Sequence, residues 1–254
     1  MLKETSKTPK KPVAKGKVTP ELQKLVETLN KKFGKNAVMI GADIEMDGTY
    51  RKVSRIPTGS IKLDLDLGGG IPEGFLALIS GGYSCIKTTL CLHIIAEAQK
   101  LGYTCAFIDV EGTSDEIFRE ANGIDNSTLI YCKPDSMEEA TQLALDLQKS
   151  GIVNLVVTDS IAAMTPNKIQ ESEMDETTRM GIKQQLMDEF LSKFTMKYNR
   201  LSREGKRMMT LICTNQLREK IGAYGDPEYT PGGRAKDFYS CVDIRIRRGD
   251  WVLS

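Results

Sequence analysis

The chain has 254 residues and a formal charge of +1, and 40% of its residues are hydrophobic. This length suffices for one α/β domain with its own buried core plus an extension. The charge is uneven, because residues 1–20 contain six lysines and one glutamate and leave the remainder at −4. The folded part is therefore not globally basic, and any nucleic-acid surface on it must be local.

Six cysteines lie mostly inside apolar runs, without a Cys-x-x-Cys pair. This pattern is typical of reduced, buried thiols rather than disulfides or zinc ligands, so we expect a cytoplasmic protein. No apolar stretch is long enough to span a membrane, and the lysine- and proline-rich start lacks the apolar segment of a signal peptide. We therefore predict no membrane association.

The N-terminal part reads as a tail followed by one helix. Residues 1–18 are rich in lysine, threonine and proline, which predicts a disordered basic tail. Thr19 and Pro20 suit a helix N-cap and first turn, and Gly34 suits its end. The helix between them carries an apolar stripe of Leu22, Leu25, Val26, Leu29 and Phe33. Because a single short helix is marginal alone, this stripe must pack on its own domain or on a neighbouring subunit. A β segment is predicted at Val38–Ile40.

From Ile56 onwards, strand and helix patterns alternate. Strands are predicted at 75–80, 103–109, 128–132, 153–158, 208–214 and 239–247. Helices are predicted at 87–101, 115–121 and 180–204, and a capping box at Ser136 and Glu139 opens another that Gly151 ends. Continuous apolar strands alternating with helices indicate an α/β fold with a mostly parallel twisted sheet covered by helices on both faces.

A phosphate-binding loop is predicted between the first of these strands and the helix after it. Gly81, Lys87 and Thr88 stand at the offsets of the P-loop pattern G-x-x-x-x-G-K-[ST], whose lysine reaches the terminal phosphates and whose hydroxyl binds Mg²⁺. Ile86 occupies the position of the second glycine. A β-branched residue there resists the backbone dihedral that glycine allows and brings a Cβ towards the phosphate. From these residues alone, a chance loop with a lysine at a helix start is the alternative.

Three other predicted strands end in polar residues: Asp109 to Glu111, Asp159, and Asn215 with Gln216. Ligands of open α/β sheets bind at the carboxyl ends of the strands, so these side chains should converge on the phosphate loop. Asp159 could then hold Mg²⁺ through water, and Glu111 is a candidate general base that polarises water. The carboxamide of Gln216 could sense the γ-phosphate. Each acid alone could instead be a helix cap.

A long segment, 217–238, follows Gln216 directly. It contains four glycines and two prolines, and loops of this length are usually functional or disordered. Its basic and aromatic side chains are Arg218, Lys220, Tyr224, Tyr229, Arg234, Lys236 and Phe238. Such a segment could follow a phosphate backbone and reach between bases, and a solvated mobile loop is the alternative. The polar loop 165–179 is acidic on balance and offers few phosphate contacts.

With these motifs assembled, the chain resembles the bacterial RecA strand-exchange recombinase family, including its phage-encoded members, from about Glu21 to Gly249. The markers are Pro57-Thr58-Gly59-Ser60-x-x-Leu63-Asp64, the segments 104–111, 157–166 and 214–218, and the pairs Gly232-Gly233 and Phe238-Tyr239. The resemblance implies a RecA-like P-loop NTPase core, a DNA-dependent ATPase that uses ATP and Mg²⁺. It further implies a helical filament on single-stranded DNA that pairs and exchanges strands with double-stranded DNA in recombination and repair.

The resemblance also implies roles by position. The nucleotide would be bound by Gly81, Gly82, Tyr83, Ser84, Cys85, Ile86, Lys87, Thr88 and Thr89, with Asp115 and Phe118 beside the adenine. Thr88 and Asp159 would hold the metal, and Glu111, Lys87 and Gln216 would be catalytic, with Gln216 as the switch to the DNA loop. DNA would be contacted from the loops 167–180 and 217–235 by Met180, Lys183, Arg218, Lys220, Tyr224, Gly232, Gly233 and Arg234.

The resemblance implies a domain organisation as well: a basic tail at 1–18, a helix and oligomerisation arm at 19–45, and an ATPase core at 46–254. The protomer interface would include Leu22, Leu25, Leu29, Phe33 and Phe238. The chain departs from the family pattern at several positions. Ile86 makes the P-loop degenerate, Gln185 and Ser192 replace arginines, and Asp237 replaces a lysine. The family's C-terminal domain is absent, so we expect a fragment, a split gene product or a shortened member.

Two alternative functions follow from these departures. In a pseudo-ATPase, Ile86 impairs nucleotide binding and the protein serves as a filament subunit or DNA-binding partner. A hexameric helicase of related core fold is the second alternative. The N-terminal arm and the paired glycines of the 217–235 loop favour a helical filament over a closed ring.

Overall fold

The computed structural model describes residues 18–34, 37–40, 53–170, 176–203, 208–219, 228–229 and 235–249. The chain divides into two compact units, 1–52 and 53–254. The predicted basic tail lies outside the described residues except for Val18. Within the described ranges, no helix is both long enough and apolar enough to cross a bilayer.

The first unit contains helix α1, Pro20–Phe33, with the ends that the sequence predicts. Thr19 is the N-cap, and its Oγ1 accepts a hydrogen bond of 3.3 Å from the backbone N–H of Leu22. Pro20 stands in the first turn, where its missing N–H costs nothing. Gly34 follows the last turn with φ at +111°, a conformation that residues with a Cβ rarely adopt.

The predicted β segment at Val38–Ile40 is wrong, because these residues form no strand. The side chain of Asn30 takes both backbone groups of Val38 instead. Its Nδ2 donates to the Val38 carbonyl at 2.9 Å, and its Oδ1 accepts from the Val38 N–H at 2.8 Å. A strand needs a neighbour to share its backbone hydrogen bonds, and here a helix side chain supplies them.

The second unit is built on a six-stranded sheet in which every pair of neighbours is parallel. Its strands are β3 Leu76–Gly81, β4 Cys105–Asp109, β5 Ile130–Cys132, β6 Leu155–Asp159, β7 Thr210–Gln216 and β10 Ser240–Ile246. Their order across the sheet is β10-β3-β7-β6-β4-β5. Each of the six predicted strands corresponds to one of these, which confirms the predicted α/β fold class.

Two short antiparallel pairs and seven helices complete the description of this unit. The pairs are β1 Arg55–Ile56 with β2 Ile71–Pro72, and β8 Arg218–Glu219 with β9 Glu228–Tyr229. The helices are α2 Ile61–Asp66, α3 Lys87–Lys100, α4 Glu116–Ala121, α5 Met137–Ser150, α6 Asn167–Gln170, α7 Glu176–Arg203 and α8 Ala235–Tyr239. The predicted start and end of α5 are confirmed, since Ser136 Oγ accepts from the N–H of Glu139 at 3.2 Å and Gly151 ends the helix with φ at +70°. The Glu139 carboxylate accepts from the N–H of Asp135 at 2.8 Å, one residue before the N–H that a capping box uses.

The sheet is buried on both faces. Successive residues of β3 enter different cores: Leu76 and Leu78 pack with α5 and α7, whereas Ala77 and Ile79 pack with α3. This burial explains why the central strands are continuously apolar instead of alternating. It leaves the carboxyl ends of the strands as the place where polar side chains can gather.

Candidate functional site

The loop between β3 and α3 holds two residues in the left-handed region. Ser84 and Ile86 both have φ at +54°, and Ile86 is the N-cap of α3 with ψ at 23°. A residue with a Cβ pays about 1–2 kcal/mol in this conformation, and β-branching adds to the strain. The loop thus keeps the dihedral of the missing glycine although an isoleucine stands there. The Ile86 side chain is 66% exposed, so little burial compensates for the strain.

Lys87 and the start of α3 are the features of this loop that suit an anion. Gly81 is constrained by the sheet instead, since a Cβ there would lie 2.7 Å from the carbonyl oxygen of Ile246 on the neighbouring strand β10. The ammonium of Lys87 lies across the loop and donates to the carbonyls of Gly81 at 3.2 Å and Gly82 at 2.7 Å. The first N–H groups of a helix point out of its N-terminal end, here towards the loop, and the Ile86 side chain makes no hydrogen bond that would cap them.

Asp159, at the end of β6, is tied to the loop by hydroxyl groups. Thr88 Oγ1 donates to its Oδ2 at 2.5 Å, and Thr214 Oγ1 donates to its Oδ1. The carboxylate is only 2% exposed. Burial raises the pKa of Asp159 above its ordinary value, and the two hydroxyl groups oppose that rise. Glu111 is a further negative charge close enough to raise the same pKa.

Glu111 lies at the same edge, two residues beyond β4. Its Oε1 accepts hydrogen bonds from Ser160 Oγ at 2.7 Å and from Gln216 Nε2 at 3.2 Å. The backbone N–H of Glu111 donates to the carbonyl of Asp159 at 3.3 Å. Strand register explains the meeting, since Asp109 is level with Asp159 and Gly81 is level with Gln216. The predicted convergence of three strand ends on one loop is therefore present.

The sequence analysis missed two contributors to this arrangement, Ser160 and Thr214. Thr214 holds Asp159, and Ser160 holds Glu111. Both are buried polar residues in or directly after apolar strands, and buried polar groups require partners. That pattern was the available signal. It shows that such residues are bonded without showing to which group.

Asp115 and Phe118 lie together at the start of α4. Asp115 is the N-cap, and its Oδ1 accepts from the N–H of Phe118 at 2.7 Å. The Phe118 ring is 40% exposed, which leaves an aromatic face available. Of the remaining nucleotide-binding candidates, Gly82, Tyr83 and Cys85 belong to the loop itself, and Thr89 lies in the first turn of α3.

The segment after Gln216 is not a continuous loop. It contains β8 and β9, paired antiparallel through Arg218 with Tyr229, and the helix α8. The N–H of Leu217 donates to the carbonyl of Gly81 at 3.0 Å, which ties the base of this hairpin to the phosphate loop. Five candidate DNA-binding residues lie outside the described residues: Lys220, Tyr224, Gly232, Gly233 and Arg234.

Arg218 lies on β8, and the other two described candidates, Met180 and Lys183, lie on α7. This helix begins at Glu176 and so includes the end of the predicted 167–180 loop. Met180 is 56% exposed. The ammonium of Lys183 donates to the carbonyl of Ala162 at 2.6 Å and is thereby held near the end of β6. The role of both residues in DNA binding stays a prediction.

Phe238, on α8, is 82% exposed and meets Tyr239 edge to face at 5.3 Å. The two rings border a mainly apolar cavity of about 300 Å³, whose walls include Phe75 and Phe194. The departure at Asp237 is accommodated by the buried Lys236, whose ammonium pairs with it at 2.5 Å. An exposed aromatic ring of this size beside an apolar cavity is typical of a contact surface.

Comparison with known proteins agrees with this architecture. The family model described as RecA N-terminal domain matches residues 20–254. Among curated relatives named Protein RecA, the one from Rubrobacter xylanophilus is 44% identical over 89% of this chain and 63% of its own length. The one from Clostridium novyi is 42% identical over 89% and 62%, and that from Staphylococcus carnosus is 41% identical over 90% and 62%.

The chain thus spans less than two thirds of the length of these three relatives. The family match covers nearly the whole chain, and it coincides with the parallel sheet and with the phosphate loop at its carboxyl edge. The chain belongs to the RecA family.

Proposed function

We propose that this chain is the ATPase core of a recombinase. It binds ATP with Mg²⁺, assembles as a filament on single-stranded DNA, and promotes homologous pairing and strand exchange with duplex DNA in recombination and repair. The observation that carries the proposal is the meeting of Lys87, Asp159, Glu111 and Gln216 at one sheet edge. The names of its relatives, Protein RecA, support the same function.

The residues present fit a magnesium nucleotide. Thr88 and Asp159 offer hard oxygen atoms 2.5 Å apart, of the kind that Mg²⁺ prefers. Among the described residues, no group of three His, Cys, Asp or Glu is placed to hold a metal ion. Mg²⁺ is commonly held by one or two carboxylates together with phosphate oxygens and water, which suits this pair. When bound, the ion would neutralise charge on the phosphates.

The hydrogen bonds of Lys87, Glu111 and Gln216 support the roles that we propose for them. Lys87 exchanges its two loop carbonyls for phosphate oxygens as the nucleotide enters, because a phosphate is the stronger acceptor. Glu111, fixed by Ser160, orients and polarises the attacking water. Gln216 shares the Glu111 carboxylate, so a γ-phosphate that draws its amide away would release Glu111 for that water.

The link to DNA runs through the backbone. Gln216 ends β7, and Leu217 is bonded to Gly81 of the phosphate loop. The hairpin that begins at Arg218 therefore starts within two residues of the group that senses the nucleotide. A shift of Gln216 on nucleotide binding would move the base of the 217–235 segment. This short connection supports the assignment of that segment as a DNA-binding element.

Filament assembly is part of the proposal. Residues 19–45 form the oligomerisation arm, and the α1 stripe of Leu22, Leu25, Leu29 and Phe33 packs on a neighbouring protomer. Residues 46–254 form the core, which offers Phe238 to the interface. The high exposure of the Phe238 ring supports this assignment. Residues 1–18 form a basic tail outside the core.

The test is ATP hydrolysis by the purified chain with and without single-stranded DNA, at several salt concentrations. We expect DNA to stimulate hydrolysis, and DNA affinity to fall steeply with salt because lysine and arginine release counterions from phosphates. If the chain fails to bind single-stranded DNA with any nucleotide at low salt, the proposal is wrong.

A pseudo-ATPase is the second candidate, and the conformation of Ile86 favours it. An exposed β-branched side chain in the left-handed region stands directly before Lys87, where the backbone should approach the phosphates. In this alternative, the protein acts as a filament subunit or DNA-binding partner without turning over ATP. Hydrolysis by the parent chain and by Ile86→Gly separates the two candidates, since appreciable and equal turnover in both would eliminate the pseudo-ATPase.

A further inference from the structure

A second polar network lies beside the site, and none of its members has a role in the proposed chemistry. The Arg119 guanidinium stacks on the Tyr131 ring, with its Cζ 4.3 Å from the ring centroid. The Tyr131 hydroxyl donates to Asp109 Oδ2 at 2.9 Å. Arg119 and Asp109 are buried, with 9% and 0% of their surface exposed. Buried charged groups that are this well bonded hold their surroundings in one arrangement.

Asp109 fixes the start of the loop that follows β4. Its Oδ1 accepts from the backbone N–H of Gly112 at 2.7 Å, and its Oδ2 accepts from that of Ser114 at 3.1 Å. Arg119 closes the same loop from the other side, since its guanidinium donates to the carbonyl of Ser114 at 2.6 Å. The loop 110–115 is thereby held at three backbone groups by two buried side chains.

This loop carries Glu111. The N–H groups of Val110 and Glu111 donate to the carbonyl of Asp159 at 2.8 and 3.3 Å, which fixes one end of the loop to β6. The bonds from Asp109 fix the other end immediately after Glu111. The backbone of the candidate general base is therefore clamped on both sides, and Asp109 is one of the two clamps.

Tyr131 completes this clamp from β5. Burial and the neighbouring carboxylate of Asp109 raise the pKa of the Tyr131 hydroxyl, while Arg119 opposes the rise. The hydroxyl therefore keeps its proton and stays a hydrogen-bond donor at neutral pH. Without this donor, Asp109 keeps its bonds from Gly112 and Ser114 but loses the one that comes from β5, so the carboxylate is held less firmly.

We propose that Tyr131 is a positioning residue that acts through Asp109 to hold Glu111 in register with Gln216 and Ser160. This inference rests on the proposed ATPase function for its kinetic consequence. Its structural consequence, the ordering of the loop 110–115, does not depend on that function. Positioning groups of this kind act on the chemical step more than on ligand binding, because the misplaced group contacts the reacting atoms and not the bound nucleotide as a whole.

The experiment compares the parent chain with Tyr131→Phe, which keeps the ring and the stacking on Arg119. Tyr103→Phe is the matched control, because Tyr103 precedes β4 at the end of that strand opposite to Asp109. We measure kcat and KM for ATP with single-stranded DNA, the affinity for a fluorescent ADP, and amide hydrogen exchange of Gly112 and Ser114. Thermal melting of each variant confirms that it is folded.

For Tyr131→Phe we expect a fall in kcat of roughly 3- to 10-fold, the loss of one hydrogen bond to a buried charge, with ADP affinity unchanged within about twofold. We also expect faster exchange at Gly112 and Ser114, and none of these changes in Tyr103→Phe. Unchanged exchange in Tyr131→Phe would overturn the positioning role. If the parent chain hydrolyses no ATP, the proposed function fails, and the exchange measurement still decides whether Tyr131 orders the loop.

Discussion

The side-chain amide of Gln216 donates to the carboxylate of Glu111 at 3.2 Å, although Gln216 ends β7 and Glu111 follows β4, and these two strands are not neighbours. Strand β6 lies between β7 and β4, and its end supplies Ser160, which bonds the same carboxylate oxygen. Residues at or just beyond the ends of three strands thus meet at one atom, Oε1 of Glu111. The start of the hairpin at Arg218 is two residues from this meeting, so a change there is transmitted through very little chain.

The first prediction concerns this pair. In Gln216→Glu the amide donor becomes a second carboxylate of nearly the same shape beside Glu111, and like charges at this distance repel. We expect stimulation of ATP hydrolysis by single-stranded DNA to fall roughly 10-fold or more, with ATP affinity retained within about threefold. Gln142→Glu makes the same change on the exposed face of α5 and should leave hydrolysis unaltered. Full stimulation in Gln216→Glu would show that the contact does not couple the two sites.

A second prediction concerns the strained phosphate loop. Ile86→Gly removes a β-branched residue with φ at +54° and should stabilise the folded chain by about 1 kcal/mol, after allowance for the greater freedom of glycine when unfolded. Removing the side chain next to Lys87 should also raise ATP affinity, roughly 3- to 10-fold, because the backbone can approach the phosphates. Chemical denaturation and equilibrium ATP binding measure the two effects.

Ser84→Gly is the matched control, since Ser84 has the same φ and a small side chain. It should give a similar gain in stability with little change in ATP affinity. If both variants raise the affinity equally, strain and not the bulk of Ile86 limits nucleotide binding. If neither variant is more stable than the parent, the left-handed conformation of Ser84 and Ile86 does not destabilise the fold, contrary to our inference.

Lys87→Ala tests whether the lysine serves the nucleotide or the fold. The ammonium makes two hydrogen bonds to loop carbonyls, so its removal should cost about 1–2 kcal/mol of stability without preventing folding. ATP affinity should fall much further, by roughly 10- to 100-fold, because a charge-assisted bond to phosphate is lost. Lys100→Ala, at the exposed end of the same helix, should change neither quantity appreciably. A large drop in the melting temperature with unaltered ATP binding would mean that Lys87 is purely structural.

We expect the stability of the folded chain to depend on pH through the buried carboxyl group of Asp159. Because burial raises its pKa above 3.8, the folded chain holds a proton on this carboxyl more tightly than the unfolded chain does. The resulting stabilisation is complete below the unfolded pKa and is lost as the pH rises through the folded pKa. Asp159→Asn has no carboxyl group at this position and should not lose this stabilisation. The melting temperature of the variant relative to that of the parent should therefore increase as the pH rises from about 4 towards 7. Dependence of ATP binding on Mg²⁺ should disappear in the same variant.

Asp125→Asn is the control for that experiment. The pKa of the exposed Asp125 is lowered, first by the hydroxyl of Ser127, so its contribution to stability is lost as the pH falls. The melting temperature of Asp125→Asn relative to that of the parent should therefore decrease slightly as the pH rises. Parallel pH curves for the parent and Asp159→Asn would contradict the assignment of a raised pKa to the buried carboxyl.

Much of this architecture could be predicted from local patterns. The four inner strands, β3, β4, β6 and β7, were predictable because a strand buried on both faces must be apolar along most of its length. The edge strands β5 and β10 are exposed or only partly buried. The ends of α1 and α5 were predictable because the capping side chains bond within three residues. The loop between β3 and α3 was predictable for a similar reason, since the P-loop pattern is defined by the spacing of Gly81, Lys87 and Thr88 along the chain. The left-handed dihedral at Ile86 was not predictable from the residue type, because β-branched residues disfavour that region.

Only the tertiary structure decided which side chains from different strands are hydrogen-bonded to each other. The order of the sheet puts β6 between β4 and β7, and only that order brings Gln216 to Glu111. The bond from Tyr131 to Asp109 likewise depends on β5 lying beside β4. The predicted strand at Val38 did not form because a side chain of α1 bonds to the backbone there. The sequence by itself determined which residues end the strands, cap the helices and form the loop between β3 and α3, because these features follow from burial and from nearest neighbours along the chain. Which polar atoms bond to which was left to the packing of the sheet, because a hydrogen bond needs a partner within about 3 Å and spacing along the chain does not specify that distance.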